Sequence, residues 1–332
     1  MMDVLSDVLQ LVRLRGTVYF QSDFAAPWGM AMETSDLAAF HMVVRGHCWL
    51  WTADSPPIPL AGGDMVLFTQ GDAHWLSDKP GGACMPGVSV LADIQQGRSP
   101  FRQGDVCTTL LCGHFEFDRE LHHPLLQELP PLIHLRGAAR HETACLDTAA
   151  ALITRETSAP RPGTAVVVDR LAEILFIQML RAYMAETQPD GYWAALNDRE
   201  ISQALTLLHA QPEANWTLDS IARRIGMSRS AFATRFKQLV GETPMRYLTG
   251  WRMQKARELL RETNSPLSAI ACQVGYHSQA AFIRAFHREF QQNPGAMRQG
   301  LAANVAEERS KSATKPSPLS LLTHDFDAFV AR

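Results

Sequence analysis

Apolar positions repeat with one spacing in two stretches that begin about fifty residues apart, at Thr217 and at Pro266. In each stretch, apolar residues recur at positions i, i+3, i+4 and i+7, and a glycine and a serine follow. This spacing predicts a short helix with one buried stripe. The matching residues are, in order, Leu218 with Leu267, Ile221 with Ile270, Ala222 with Ala271, Ile225 with Val274, Gly226 with Gly275 and Ser228 with Ser278. The repeat indicates that one supersecondary unit is used twice.

Each stretch is predicted to form a helix-turn-helix. Gly226 stands where a left-handed turn favours a residue without Cβ, and Ser228 and Ser278 suit the N-cap of a second helix. The second helices are predicted to bury Phe232, Phe236 and Leu239 in one unit and Phe282, Phe286 and Phe290 in the other. Their opposite faces carry Arg229, Ser230, Ala233, Thr234 and Lys237, then Gln279, Ala280, Ile283, Arg284 and His287. Such faces can contact base edges and phosphates. A helical repeat that only packs is the alternative.

The distribution of charge agrees with nucleic-acid binding by this part of the chain. Residues 197–300 hold 14 Lys and Arg against 8 Asp and Glu, a balance of +6. The whole chain of 332 residues holds 31 Lys and Arg against 34 Asp and Glu, so the residues outside 197–300 hold 17 basic against 26 acidic side chains. A basic module on an acidic protein is the asymmetry expected when one part contacts phosphate.

These residues resemble the C-terminal DNA-binding domain of AraC/XylS-type transcription regulators, over about Asn197 to Arg298. The resemblance is carried by Ala222, Gly226, Met227, Ser228, Phe232, Phe236, Pro244, Tyr247, Leu248, Arg252, Ala256, Leu259, Leu260, Ile270, Ala271, Val274, Gly275, Tyr276, Ser278, Phe282, Phe286 and Pro294. It implies that a long helix, Thr243–Glu262, joins the two units. Both recognition helices can then enter successive major grooves, ~34 Å apart.

The resemblance also implies which positions contact bases. In the first recognition helix these are Ser230, Ala233 and Thr234, and in the second they are Gln279, Ala280, Ile283 and Arg284. Arg284 is suited to guanine and Gln279 to adenine. The chain departs from the family at Gln291, where a glycine is usual and where Gly241 stands in the first unit.

The N-terminal part has a different pattern. Short β-rich runs, such as Ala39–Val44, Cys48–Thr52 and Met65–Thr69, are separated by Gly, Pro and Asp clusters. This pattern is typical of an antiparallel barrel or jelly roll. The predicted class is therefore α+β: a β-barrel, a helical region and an all-α double helix-turn-helix.

The run from Gly63 to His74 resembles the second motif of the cupins, with Thr69 in place of the usual proline. The first cupin motif, with two His and a Glu, is missing, and His41 stands alone in that vicinity. Together with the run Cys112-Gly113-His114-Phe115, this resembles the cupin-type sensor of one branch of AraC regulators.

Three kinds of signal are considered for this barrel. His41, His74, Cys112 and His114 are residue types that hold a divalent metal such as zinc. A small-molecule effector would contact the apolar and aromatic residues Trp49, Trp51, Phe68 and Trp75. An oxidant would react with an exposed low-pKa thiol at Cys84, Cys107 or Cys112. In the alternative, these side chains only fill the barrel or hydrogen-bond locally. Cys48, Cys145 and Cys272 are interpreted as structural.

The expected organisation is a sensor over residues 1–138, a helical dimerisation region over 139–190, the DNA-binding domain over 197–300 and a disordered tail over 302–332. Amphipathic helices are predicted at Ala139–Thr154 and Ala165–Met184. Pro189 and Gly191 indicate a linker at Gln188–Asn197, with docking through Tyr192, Trp193 and Leu196 as the alternative. Dimerisation is implied by the family, and packing within the monomer is the alternative.

The sequence thus predicts a cytoplasmic transcription factor, an activator by resemblance, and not an enzyme. It has no secretion signal and no apolar run that could span a membrane. Its expected partners are double-stranded promoter DNA, a second copy of the chain, RNA polymerase and an unknown effector. Two alternatives remain: a metal-dependent cupin enzyme fused to a DNA-binding domain, and a scaffold of helical repeats that does not bind DNA.

Overall fold

The computed structural model of the chain describes residues 4–118, 123–137, 144–159, 161–187 and 190–300. The chain divides into two compact units. The helical unit comprises the described residues of 4–12, 123–128 and 190–300, and the sheet unit comprises those of 13–118 and 129–187. The tail predicted to be disordered lies outside the described residues.

The sheet unit contains nine strands and three helices among its described residues. The strands are β1 Arg15–Ala25, β2 Gly29–Met32, β3 Ala38–Thr52, β4 Ser55–Ala61, β5 Met65–Phe68, β6 His74–Ser77, β7 Met85–Pro86, β8 Val106–Glu116 and β9 Leu132–Leu135. Its helices are α2 Gly87–Gln95, α4 Ala144–Ser158 and α5 Thr164–Thr187.

The helical unit is built from α1 Val4–Val12, α3 Pro124–Gln127, α6 Gly191–Asn197, α7 Arg199–Ala210, α8 Leu218–Arg224, α9 Arg229–Val240, α10 Pro244–Glu262, α11 Leu267–Gln273 and α12 Gln279–Phe290. Helix α1, which the sequence analysis did not predict, buries Val8 and Val12 and presents Asp7 to the interior of this unit.

Strand β3 organises the sheet because it pairs with four neighbours, β4, β5, β6 and β8, all antiparallel. Strand β1 pairs with the other side of β8, and β2 joins through β6. The predicted antiparallel β domain is confirmed. The two runs predicted as separate strands, Ala39–Val44 and Cys48–Thr52, are one strand with a register shift between Val43 and Arg45.

Helix α5 approaches β1 closely where Ala172 lies against Gly16. A Cβ placed on Gly16 would lie 2.5 Å from the Cβ of Ala172, so only glycine permits this approach. The helix buries Ala172, Leu175, Phe176 and Met179 against the sheet. Its other face leaves Val166, Val167 and Ile174 exposed. The two predicted amphipathic helices therefore exist as α4 and α5, with an apolar surface still uncovered.

The repeat forms two helix-turn-helix units, α8–α9 and α11–α12, joined by α10. Ser228 and Ser278 cap α9 and α12, accepting hydrogen bonds from the amides of Ala231 at 3.2 Å and Ala281 at 3.4 Å. Such a cap satisfies an amide that the helix itself leaves without a partner. The turn glycines Gly226 and Gly275 have φ of 75° and 82°, as predicted.

The four phenylalanines at the centres of the recognition helices, Phe232, Phe236, Phe282 and Phe286, are fully buried. Leu239 and Phe290, also predicted to be buried, are half-buried, and Val240 fills the corresponding place in α9. The departure at Gln291 does not alter the fold, since it adopts a left-handed φ of 53° and ends α12 as Gly241 ends α9.

Two predictions about local structure are wrong. The segment predicted as a linker, Gln188–Asn197, contains helix α6, and the alternative that Tyr192 and Trp193 dock it is correct, since both are fully buried. Cys145 and Cys272, interpreted as structural, are exposed, because each lies on the polar side of its helix. Cys48 is buried, as predicted.

Candidate nucleic-acid interface and sensor site

Helix α9 presents the first of the two candidate base-reading faces. Its Phe232 and Phe236 are buried, which turns the predicted contact residues outward: Arg229, Ser230, Thr234 and Lys237 are exposed and Ala233 is half-buried. Arg235 donates to Asp198, with Nε at 2.8 Å, and Asp198 also caps α7 by accepting from the amide of Ile201. This ion pair fixes α9 relative to α7.

Helix α12 presents the second face in the same way. Gln279, Ala280, Arg284 and His287 are exposed and Ile283 is half-buried. Arg246 of α10 donates to Glu289 at 2.6 Å and thereby ties α12 to the connecting helix. Each recognition helix is therefore held to the rest of the helical unit by one ion pair.

Three cations on these faces, Arg229, Lys237 and Arg284, have no competing partner among the described residues. Among the described residues, the side chains of Arg229, Lys237 and Arg284 make no hydrogen bond or ion pair within the chain, whereas those of Arg235 and Arg246 do. A guanidinium without an internal partner can donate two parallel hydrogen bonds to one acceptor pair, such as O6 and N7 of guanine. Both helices therefore present cations that are free to contact an outside partner.

In the sheet unit, three of the four predicted metal ligands form one buried hydrogen-bonded chain. Cys112 Sγ lies 3.0 Å from Nδ1 of His41, and His41 Nε2 lies 2.8 Å from Nε2 of His74. His74 Nδ1 lies 2.7 Å from the carbonyl oxygen of Asp72. Since that carbonyl accepts only, His74 carries its proton on Nδ1, His41 donates from Nε2, and the Cys112 thiol donates to His41.

The ionisation of these groups agrees with a neutral chain. Burial lowers the pKa of His74 to about 4, and burial together with the nearby His74 lowers the pKa of His41 well below its usual range. Burial also raises the pKa of the Cys112 thiol well above its usual range. All three groups therefore remain uncharged near neutral pH.

The four predicted ligands do not form a zinc site in this arrangement. His114 turns away from the chain and lies 3.0 Å from Glu116 Oε1, while the two ring nitrogens of His41 already contact different partners. No group of three or more His, Cys, Asp or Glu side chains within the described part of the protein is arranged to hold a metal ion. The donor types suit zinc, but their placement does not.

Of the other predicted effector residues, Phe68 is buried and stacks on His74, with ring centroids 3.7 Å apart, and the rest lie elsewhere. Trp49 and Trp75 alternate along their strands with the fully buried Leu50 and Leu76. The two tryptophans therefore face the opposite side of the sheet from His74. The prediction that they line the barrel is wrong. Cys84 is half-buried, and burial raises the pKa of its thiol. A raised pKa is the reverse of what a reactive thiol needs, for Cys84 as for Cys112.

Comparison with known proteins gives the family. A family model described as Cupin matches residues 3–185, and one described as Helix-turn-helix domain matches residues 221–300. An AraC-like transcription regulator of Streptomyces antibioticus is 35% identical over 301 residues, which cover 90% of this chain and 98% of that protein. The chain belongs to the AraC-type family of transcription regulators.

Two further similarities accompany this result. The HTH-type transcriptional regulator AlkR of Acinetobacter baylyi is 31% identical over 308 residues, covering 90% of this chain and 99% of that protein. The crystal structure of the DNA-binding domain of AdpA in complex with a target DNA is 27% identical, with a TM-score of 0.31, over 32% of this chain and 96% of that one.

As a member of the AraC-type family, the chain is a DNA-binding transcription regulator with an N-terminal cupin domain. The predicted α+β class is confirmed. Among the described residues, no helix combines the length and the apolar character needed to cross a membrane.

One AraC-type motif residue, Arg252, has a structural contact in this chain. Its guanidinium donates to the carbonyl oxygens of Pro212 at 2.6 Å and Ala214 at 2.9 Å. Burial lowers its pKa from the usual arginine value. Arg252 therefore holds the segment between α7 and α8 against α10.

The helical unit contains a buried polar cluster that no sequence pattern predicted, which we call the Tyr247 cluster: Asp7, His123, Tyr192, His209 and Tyr247. Tyr247 Oη lies 2.7 Å from Tyr192 Oη, 2.6 Å from His209 Nε2 and 3.2 Å from His123 Nε2. His209 Nδ1 lies 3.4 Å from Asp7 Oδ2. The one available signal was a histidine at the end of the apolar stripe of α7, since the other members are distant in sequence.

Proposed function

We propose that the chain binds a promoter operator as a homodimer, with α9 and α12 of each copy in successive major grooves. The observation that carries the proposal is the pair of exposed recognition faces, each opposite a fully buried phenylalanine pair and each fixed by its own ion pair. Two capped helices held in this way match the docking geometry of helix-turn-helix readers.

The two recognition helices of each copy recognise the operator in different ways. In α12, Arg284 contacts guanine, Gln279 contacts adenine and Ile283 packs against a thymine methyl group. In α9, Ser230, Ala233 and Thr234 offer only small groups, so this helix selects its site through methyl contacts and DNA shape. Arg229, Lys237 and His287 contact phosphates and add to affinity without adding to specificity.

Dimerisation uses the uncovered face of α5. Val166 is 65% exposed and Ile174 46% exposed on the side of the helix away from the sheet, and Leu152 of α4 is also exposed. An apolar face of this kind on a soluble fold favours contact with a second protein surface. A homodimer places two DNA-binding domains on one operator, and the bound protein then activates transcription by contacting RNA polymerase.

The cupin domain supplies the regulation. A signal received in the sheet unit changes the Cys112–His41–His74 chain, and the bound state of the operator changes with it. Such coupling requires that the signal bind two conformations of the protein with different affinities.

The proposal is tested by selecting genomic DNA fragments with the purified full-length protein, with and without a thiol oxidant. The expected result is an enriched motif with two half-elements about one helical turn, ~34 Å, apart. Enrichment without any shared motif would contradict sequence-specific reading. A motif with a single element would contradict the use of both helices.

A further inference from the structure

A cleft of about 370 Å³ lies within the helical unit, apart from both recognition faces. Its walls are the segment 123–128, the end of α9 with Gly241 and Glu242, the middle of α10 and Glu289 of α12. None of the predicted DNA-contacting residues lines it. A volume at the low end of the range for small-molecule sites suits a ligand smaller than a drug-sized one.

The charged groups of the cleft are mostly acidic. Glu128, Glu242 and Glu289 face a single cation, Arg246, whose Nη1 is 2.6 Å from Glu289 and whose Nε is 3.9 Å from Glu242. Burial raises the pKa of Glu128 and of Glu242, and for Glu242 it outweighs the opposing effect of Arg246. A second cation in the cleft would stabilise both carboxylates.

Two hydrogen-bond donors in the wall of the cleft are unused. Trp251 and Gln254 are 2% and 3% exposed, and neither Trp251 Nε1 nor Gln254 Nε2 has a hydrogen-bond partner within the described structure. A buried donor without a partner is unfavourable by about 1–3 kcal/mol. A ligand with a hydroxyl or carbonyl oxygen would supply the missing acceptor.

Helix α10 itself keeps the cleft open at Gly250. A Cβ on this residue would meet only Glu289 Oε1, at 3.8 Å, so no crowding requires glycine here. Glycine in a helix interior is nevertheless less favourable than alanine by about 1 kcal/mol. The cleft thus has empty space beside Gly250, which destabilises α10. The same cleft has two hydrogen-bond donors without partners and more carboxylates than cations.

We infer that this cleft binds a small organic ammonium ion that also carries a hydroxyl or carbonyl oxygen. Its charged end lies among Glu128, Glu242 and Glu289, and its oxygen accepts from Trp251 and Gln254. The site is separate from the signal proposed for the cupin domain. Because the walls include the end of α9 and a residue of α12, occupancy alters the position of both recognition helices.

Two pairs of probes, matched except for the charge, test this inference on the full-length protein. Glucosamine is compared with glucose, and tyramine with 4-(2-hydroxyethyl)phenol, by isothermal titration calorimetry at low ionic strength, where charge interactions are least screened. We expect at least one ammonium compound to bind saturably and at least ~10-fold more tightly than its hydroxyl counterpart. Absence of saturable binding by both ammonium compounds up to ~10 mM, or equal binding within each pair, overturns the inference.

Variants locate the binding. Gly250→Leu fills the cleft and is expected to abolish the titration signal while leaving the circular dichroism melting curve intact. Glu128→Gln is expected to weaken binding by at least ~10-fold, and this variant decides the matter if Gly250→Leu does not fold. Glu258→Gln, on α10 but outside the cleft, is the control and should bind as the wild type does. Binding that survives both cleft variants places the ligand elsewhere and refutes the site.

The titration contains no DNA, so its outcome is independent of the function proposed above. A second measurement then links the two: the operator dissociation constant with and without the bound ammonium compound. Because coupling between two sites is reciprocal, operator DNA must change the affinity for the compound by the same factor. Binding without any such change would confine the cleft to a role unrelated to DNA and contradict the proposed effect on the recognition helices.

Discussion

The hydroxyl of Tyr247 lies 2.6 Å from Nε2 of His209 and also contacts His123 Nε2 and Tyr192 Oη. His123 Nδ1 accepts from the amide of Leu125, so His123 donates from Nε2 to the Tyr247 oxygen. His209 Nδ1 faces Asp7 Oδ2 at 3.4 Å without forming a hydrogen bond, and this carboxylate favours the proton on Nδ1, so Nε2 accepts from Tyr247. Tyr192 then donates to Tyr247. One hydroxyl thus donates once and accepts twice, which is its full capacity.

Tyr247→Phe removes that hydroxyl while preserving the ring. We expect the free energy of unfolding of the helical unit to fall by about 1–3 kcal/mol, because two buried donors and one acceptor lose their partner. Urea denaturation measures the change. Tyr276→Phe is the matched control, since Tyr276 is half-buried and its hydroxyl has no hydrogen bond among the described residues. Equal stability of the two variants would show that the cluster contributes nothing.

Stability of the sheet unit should decrease as the pH falls below 7. His74 has a pKa of about 4 when folded against 6.5 as a model value, so between these values the unfolded chain binds more protons than the folded one. The contribution of His74 is present in full above pH 7, and about 2 kcal/mol of it is lost by pH 5. Denaturation series at the two pH values measure this loss. The His74→Gln substitution should reduce the pH dependence of the free energy of unfolding, whereas His47→Gln, at an exposed residue, should leave it unchanged. An equally steep pH dependence in the wild type and the His74 variant would refute the uncharged Cys112–His41–His74 chain.

Val166→Glu should separate the proposed dimer. The substitution places a charge on a side chain that is 65% exposed in the single chain, so folding is unaffected, but a dimer interface would have to bury that charge. Sedimentation velocity is expected to show a monomer with the circular dichroism spectrum of the wild type. Arg98→Ala, on an exposed residue that pairs with Asp93, serves as control and should remain dimeric. A dimeric Val166 variant would exclude this face.

Arg284→Ala should weaken binding to the selected operator by about 1–3 kcal/mol and relax the preference for guanine at one position. Binding to random duplex should change much less, because the lost contact is to a base. Fluorescence anisotropy with both duplexes measures the difference, and the Arg98 variant again gives the unperturbed value. An equal loss on both duplexes would assign Arg284 to a phosphate.

The helix-turn-helix repeat could be predicted almost residue by residue, because its signals are local. Ser228 caps α9, Gly226 makes the turn and Phe232 lies in the core, and each follows from spacing within one or two helical turns. Gln291 shows the limit of such rules. It takes a left-handed conformation that glycine adopts more easily, yet α12 ends there as expected.

The remaining features depend on tertiary contacts that no local pattern encodes. Pro189 and Gly191 indicated a linker, but Tyr192 and Trp193 are buried and make the segment a helix. Trp49 and Trp75 are aromatic residues of the kind that line effector pockets. Because side chains alternate along a strand, they lie on the other face of the sheet from the buried leucines Leu50 and Leu76. The Tyr247 cluster draws on α1, the segment before α3, α6, α7 and α10, and only the fold brings these together.

Hydroxyl-radical footprinting of the wild-type protein on the selected operator tests the central claim most directly. If α9 and α12 occupy successive major grooves, each copy protects two segments about one helical turn, ~34 Å, apart on one face of the duplex. Arg284→Ala should then lose protection at the segment contacted by α12 and retain the other. A single protected segment per copy, or loss of both segments together in the variant, would contradict reading by two separate helices.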